Sequence, residues 1–151
     1  MSNKKLQYVK QSVIKKILKD CDYLVLLGER SNGKSYASKN LVLQECFEND
    51  KKFIYLRRYD LDVKDSLCVN YFNDCPTESI TNKDYSCIDV YRKQIYLSNI
   101  DENGKVKRDK VIGYCHALSA SEHYKSLAFP DVDYIIYEEM VSAANRYMPT
   151  S

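Results

Sequence analysis

The run GERSNGKS, Gly28 to Ser35, places two glycines, a lysine and a hydroxyl residue at the spacing G-x-x-x-x-G-K-[ST]. That spacing suits a phosphate cradle. Gly28 and Gly33 allow backbone torsions that side chains oppose. The residues between them, Glu29, Arg30, Ser31 and Asn32, can then turn their N–H groups inward around phosphate oxygens. A helix starting near Lys34 adds the positive end of its dipole. In this reading Lys34 reaches the β- and γ-phosphates, the Ser35 hydroxyl ligates Mg²⁺, and Tyr36 closes the ATP-binding run. Arg30 has three readings: a catalytic group on the charge of the transferred phosphate, a contact to a neighbouring subunit, or a solvated loop residue.

A phosphate cradle that hydrolyses its ligand needs acid groups at the end of a second buried strand. DYIIYEEM, residues 133–140, supplies them. Glu138 is expected to hold Mg²⁺ through a water, and Glu139 to orient and deprotonate the attacking water. The first position is more often Asp in such motifs, and Glu is one methylene longer. Two adjacent acids favour the hydrolases that use a glutamate base over the GTPases. The string NKDY at 82–85 is no guanine motif, because Tyr85 stands where an Asp is needed and the string precedes the acidic strand. Arg57 and Arg58 end a predicted strand on the side where ligands gather, so they read either as a DNA or subunit contact or as simply solvated residues. His116 and His123 read as structural. Ser119 reads as a helix cap, with γ-phosphate sensing the weaker alternative.

The elements that must position these groups follow from periodicity. Leu6, Val9, Val13, Ile14, Ile17 and Leu18 form one stripe of a helix over 5–19, with lysines on the rest of its surface. DYLVLL at 22–27 reads as a buried parallel strand stopping at Gly28, and 34–47 as a helix. FIYLRR at 53–58 reads as a second strand, so that the three form a right-handed βαβ unit. The segment 60–86 predicts a short helix and loops. Residues 88–98 and 105–116 read as extended arms of a hairpin turning at DENG, 101–104. A short helix is expected over 119–127, a strand over 133–137 and a loop over 140–151.

Composition sets the outer bounds. With 151 residues, 44% hydrophobic and 29% charged, the chain has globular proportions and the length of one domain. No apolar run approaches the ~20 residues of a membrane span, so no membrane role is expected. The first twenty residues are lysine-rich without an unbroken apolar stretch, which argues against a secretory leader and for a cytoplasmic site of synthesis. Six cysteines contain no CxxC pair and only two histidines accompany them, which disfavours zinc and predicts free thiols. A net charge of +2 is too small to indicate nucleic-acid binding by itself.

Several strings together resemble the DNA-packaging (encapsidation) ATPases of small podophages. GERSNGKS is similar to that family's G-x-R-x-x-G-K-S loop, and FIYLRR to its second strand. VIGYCHALSASEHYKSLAFPDVDYIIYEEM is similar to its run into the Walker B strand, ordered IGY, LS, KS, FP and an acidic pair. The resemblance spans about 22–148. It implies an α/β P-loop NTPase of RecA-like or ASCE type, a three-layer sandwich with a mainly parallel sheet plus an inserted β-hairpin, over a single domain 1–151. It implies a homomeric ring, usually a pentamer, at the portal vertex of a procapsid in the host cytoplasm, hydrolysing ATP to drive double-stranded DNA inside. By position, Lys34, Ser35, Glu138, Glu139 and Arg30 carry the family roles. Family members continue well past the Walker B strand, so an ATPase domain incomplete at its C-terminus is expected. The rival readings are a nucleotide or small-molecule kinase, a nucleotide-dependent DNA-binding assembly module without turnover, and a helicase or AAA+ loader.

Overall fold

The computed structural model describes residues 8–28, 33–120, 129 and 131–139. Its centre is one five-stranded sheet in the order β2-β3-β4-β1-β5. The strands are β1 (Lys52–Arg57), β2 (Cys87–Tyr91), β3 (Gln94–Ile100), β4 (Val106–Ala117) and β5 (Val132–Tyr137). β1 pairs in parallel with β4 on one side and β5 on the other, whereas β2–β3 and β3–β4 are antiparallel. The expected mainly parallel sheet is therefore a mixed one. The predicted hairpin is no appendage, because its arms continue the same sheet and its second arm, β4, is the neighbour of β1.

Pairing places Phe53 beside Gly113 and Tyr134, and Tyr55 beside Cys115 and Ile136. These side chains share one face, since strand residues alternate. Phe53, Tyr55, Cys115, Ala117, Ile95, Leu97, Ile88 and Val90 are buried in one cluster with Val42, Leu43, Cys46, Val63, Cys68 and Phe72 from the helical side. The helices are α2 (Lys34–Glu48), α3 (Asp65–Phe72) and the single turn α4 (Thr77–Ile80), with a 3-10 turn at Asp60–Val63. The expected single short helix in 60–86 is thus three helical pieces. Gly113 is required by close approach. A Cβ there would stand 2.5 Å from the Phe53 carbonyl oxygen and 2.9 Å from its ring.

The extended stretch expected over 88–98 is cut by a two-residue turn at Arg92-Lys93, whose φ values are 50° and 61°. Such a turn favours Asn-Gly, because left-handed torsions cost ~1–2 kcal/mol on other residues. The offsetting interaction is distant in sequence. The Asp65 carboxylate at the start of α3 accepts the N–H groups of Arg92 at 2.8 Å and Lys93 at 2.9 Å. The turn at 101–104 follows its sequence signal, with Gly104 at φ 77° and Asp101 accepting the N–H of Asn103 and Lys105.

A second, smaller cluster lies apart from the sheet core. Ile14 of α1 (Gln11–Leu18) is buried with Ala37 and Leu41 of α2, and Val9, Leu18, Leu24 and Leu26 pack around them. α1 is shorter than predicted, and Val13 and Ile17 of the expected stripe are exposed. Leu6 lies outside the described residues. Residues 22–27 form no strand, contrary to expectation. Leu24 and Leu26 rest on the helix pair, while Tyr23, Val25 and Leu27 face outward with no described strand beside them. The βαβ unit accordingly lacks its first strand among the described residues. β5 is the sheet edge there, and Ile135 on it is exposed. No helix of the described residues is long and apolar enough to cross a membrane.

Candidate functional site

The start of α2 is formed as the glycine spacing predicts. Gly33 occupies the N-cap position with φ 78°, a left-handed torsion natural to glycine, and its carbonyl accepts the Ala37 N–H at 2.9 Å. Lys34 and Ser35 are the first two residues of the helix, where N–H groups have no intrahelical acceptor, and Tyr36 is the third. The Lys34 ammonium donates to the Gly28 carbonyl at 2.9 Å, so both ends of the glycine-bounded run meet. The Tyr8 ring packs beside Gly33. Glu29, Arg30, Ser31 and Asn32 lie outside the described residues.

Unlike an ordinary surface helix, α2 is buried on most sides. It serves both apolar clusters and also buries Lys39, Asn40 and Glu45. Lys15 of α1 pairs with Glu45 at 3.0 Å, and Lys39 points the other way. The Lys39 ammonium donates to the Tyr71 carbonyl and the Asp74 carboxylate, each at 2.6 Å, and lies 4.3 Å from the centre of the Tyr71 ring. Enclosure of a lysine is tolerated because all these groups satisfy its charge.

The acidic pair follows β5. Alternation puts Glu138 on the face of Ile136 and Tyr55. The Tyr71 hydroxyl of α3 donates to Glu138 Oε1 at 2.7 Å. Burial, and then the neighbouring Glu138 charge, push the Tyr71 hydroxyl well above the ordinary phenol range, so it stays a donor. Glu139 has φ 54°, which ends the strand alternation. Arg57 Nη2 donates to its Oε2 at 3.0 Å and lies 3.8 Å from Asp62.

The structure thus joins some of the predicted residues and separates others. Arg57 belongs to the Glu139 cluster instead of standing as an open phosphate contact, whereas Arg58 lies over the Tyr59 ring at 6.0 Å. Ser119 does not begin a described α-helix. Its hydroxyl accepts the Asp60 N–H, and its own N–H donates to the Arg58 carbonyl, both at 3.0 Å. It fastens the end of β4 to the loop after β1. His116 is packed against Phe129 and Tyr114. The helix expected over 119–127 lies outside the described residues apart from its first two positions, as do His123 and the loop expected over 140–151. Sequence reasoning missed Tyr71 and Lys39. The signal available was faint: Lys39 stands between Ser38 and Asn40, just before the apolar run 41–43, and Tyr71-Phe72 is an adjacent aromatic pair.

Two of the expected metal-side residues carry oxygen donors, the kind a hard divalent cation takes. Ser35 offers a hydroxyl oxygen and Glu138 a carboxylate, and Mg²⁺ takes one or two such protein oxygens alongside waters and phosphates.

Comparison with known proteins places these features in a family. The model of the podovirus DNA encapsidation protein (Gp16) matches residues 2–151. The DNA packaging protein of Bacillus phage B103 is 32% identical over 126 residues, which are 82% of this chain and 34% of that protein. The DNA packaging protein of Bacillus phage phi29 is 29% identical over the same length, covering 33% of that protein. The chain therefore spans about a third of the length of the curated relatives it matches. Among solved structures, the bacteriophage phi29 genome packaging motor assembly aligns with a TM-score of 0.66 at 28% identity, over 96% of this chain and 39% of that one. The N-terminal domain of the phi29 DNA packaging ATPase aligns with a TM-score of 0.57 at 26% identity, over 83% of this chain and 55% of that one. A match running through the sheet, α2 and the acidic end of β5 makes this chain a member of the podovirus DNA encapsidation protein family.

Proposed function

We propose that this chain is the ATPase region of a phage DNA packaging motor, in which Gly28–Tyr36 hold ATP and the β5 acids act on its γ-phosphate. The observation that carries the reading is the convergence of two distant sequence segments. Lys39, five residues beyond Lys34 on α2, and Glu138, at the end of β5, both bond Tyr71. Five helical residues rise only ~7.5 Å, so the helix opening and the acid end are linked through one residue, by its backbone carbonyl on the Lys39 side and its hydroxyl on the Glu138 side.

Lys34, Ser35 and the N–H groups at the start of α2 bind the phosphates, and Arg30 is proposed to add positive charge there. Ser35 and Glu138 are the residues that would hold Mg²⁺. When bound, that ion supplies neutralisation of charge on the β- and γ-phosphates. Glu139 takes a proton from the attacking water as the water oxygen bonds the γ-phosphorus and the bond to the ADP oxygen breaks. This assigns Glu139 as general base, a role that requires the carboxylate to leave the Arg57 pair seen here.

The membership supports a homo-oligomeric ring, a pentamer in the simplest reading, working at the portal of a procapsid in the host cell. Double-stranded DNA would be gripped through its phosphates, without base preference and with steep salt dependence. Arg58 and the lysines of α1 are our candidates for that grip.

ATP turnover with and without double-stranded DNA, for wild type and Glu139→Gln, tests the reading. Glu139→Gln should keep ATP binding and lose hydrolysis by at least ~100-fold. Equal turnover in the two proteins would remove Glu139 as the base. Phosphate appearing on a metabolite instead of in solution would favour a kinase.

A further inference from the structure

We infer that Tyr71 is a positioning residue for the magnesium-side carboxylate: its hydroxyl holds Glu138 in the orientation that meets the ion carried with the nucleotide. The inference rests on the proposed reading of Glu138 and assigns Tyr71 and Lys39 roles that reading does not use.

Three observations carry it. First, Tyr71 is fixed on every side the contacts describe. Its ring stacks on Tyr55 at 4.3 Å and 18°, meets Phe72 edge-on at 4.8 Å, and carries the Lys39 ammonium 4.3 Å from its centre. Second, this packed phenol spends its hydroxyl on one acceptor, Glu138 Oε1, at 2.7 Å. A carboxylate has a second oxygen to offer an ion, and an uncharged donor orients the group without cancelling the charge the ion needs. Third, Lys39 is almost fully enclosed, with 5% of its side chain exposed, and its bond to the Tyr71 carbonyl ties α3 to the helix opened by Lys34 and Ser35. Orientation of the acid and placement of the phosphate helix are thereby set by the same aromatic residue.

The arrangement also accounts for a glutamate at a position where aspartate is commoner. Glu has one more rotatable bond than Asp, so its carboxylate wanders further unless held. A hydrogen bond from a packed tyrosine restricts that freedom. Tyr71→Phe removes only the hydroxyl and leaves the stacking and the cation over the ring in place, so it separates positioning from packing.

The test is a mutant cycle read by electron paramagnetic resonance of Mn²⁺ binding to the purified chain with ADP present. Tyr71→Phe should weaken ADP-dependent Mn²⁺ binding about tenfold in the wild-type background, the usual scale for a group that orients a metal ligand. In a Glu138→Gln background the same change should cost less than about twofold, because its target is gone. No loss in the wild-type background overturns the inference. An equal loss in both backgrounds also overturns it, since Tyr71 would then act through packing. If Glu138→Gln binds Mn²⁺ as well as wild type, or wild type shows no ADP-dependent Mn²⁺ binding, the magnesium-side reading fails and this inference fails with it.

Discussion

The two halves of the candidate site rest on unlike foundations. The acid end stands on β5, hydrogen-bonded to β1 and backed by the main core of Phe53, Tyr55, Phe72 and Ile136. The glycine-bounded end rests on a small cluster of Ile14, Ala37 and Leu41, entered by an extended segment that joins no strand pairing among the described residues. The proposed hydrolysis needs both halves in register, yet only one is built into the sheet. α2 is the element common to both, which explains why it buries charged Lys39 and Glu45 along with its apolar residues. Local stability differs across a molecule according to such support.

That contrast yields ordered expectations. Lys34→Ala should have the largest effect, lowering ATP affinity about 100-fold by calorimetry while circular dichroism stays unchanged, because the lysine serves the ligand and not the core. Unchanged affinity would refute the phosphate-cradle reading. Ile14→Ala should come next, costing ~2–3 kcal/mol within the small cluster. Hydrogen exchange should then quicken in α1 and the first turns of α2 but not in β1 or β4. A uniform rise would show that the two clusters are one cooperative unit. Gly113→Ala should cost ~1–3 kcal/mol of global stability by denaturant titration, because the new methyl meets the Phe53 carbonyl. Its effect should spread over the whole sheet.

The smallest effect is a pH dependence. Burial, and then the nearby Lys93 charge, hold the His116 imidazole below its ordinary value. The unfolded chain therefore binds more protons than the folded one once pH falls below about 6.5. His116 thus contributes a loss of stability as the pH falls through and below about 6.5, and none well above that interval. His116→Gln should make the pH–stability curve shallower over that interval. An identical slope would mean the ring titrates alike in both states.

Some of this was legible in the sequence for local reasons. The helix after Gly33, the strand at 53–57, the turn at DENG and the strand into Glu138 are each specified by neighbouring residues. The rest depends on distant partners. Arg92-Lys93 carries no turn signal, because the Asp65 carboxylate that holds the turn is 27 residues away. DYLVLL reads as a buried strand by composition, but a strand also needs a neighbour, and hydrophobicity does not specify one. The bond between Tyr71 and Glu138 spans 67 positions, so no periodicity announces it. Arg57 looked like an open cation at a strand end, and its partner Glu139 lies 82 positions on.

The central claim is that Ser35 and Glu138 meet one ion. Replacing Mg²⁺ with Fe²⁺ and adding ascorbate and peroxide cuts the backbone close to the bound metal, so it reads that claim directly. With ADP present, cleavage should appear at two places, around residues 34–36 and around 137–139, and both cuts should vanish in Lys34→Ala. Cleavage confined to one of the two segments, or cleavage indifferent to nucleotide, would contradict the account.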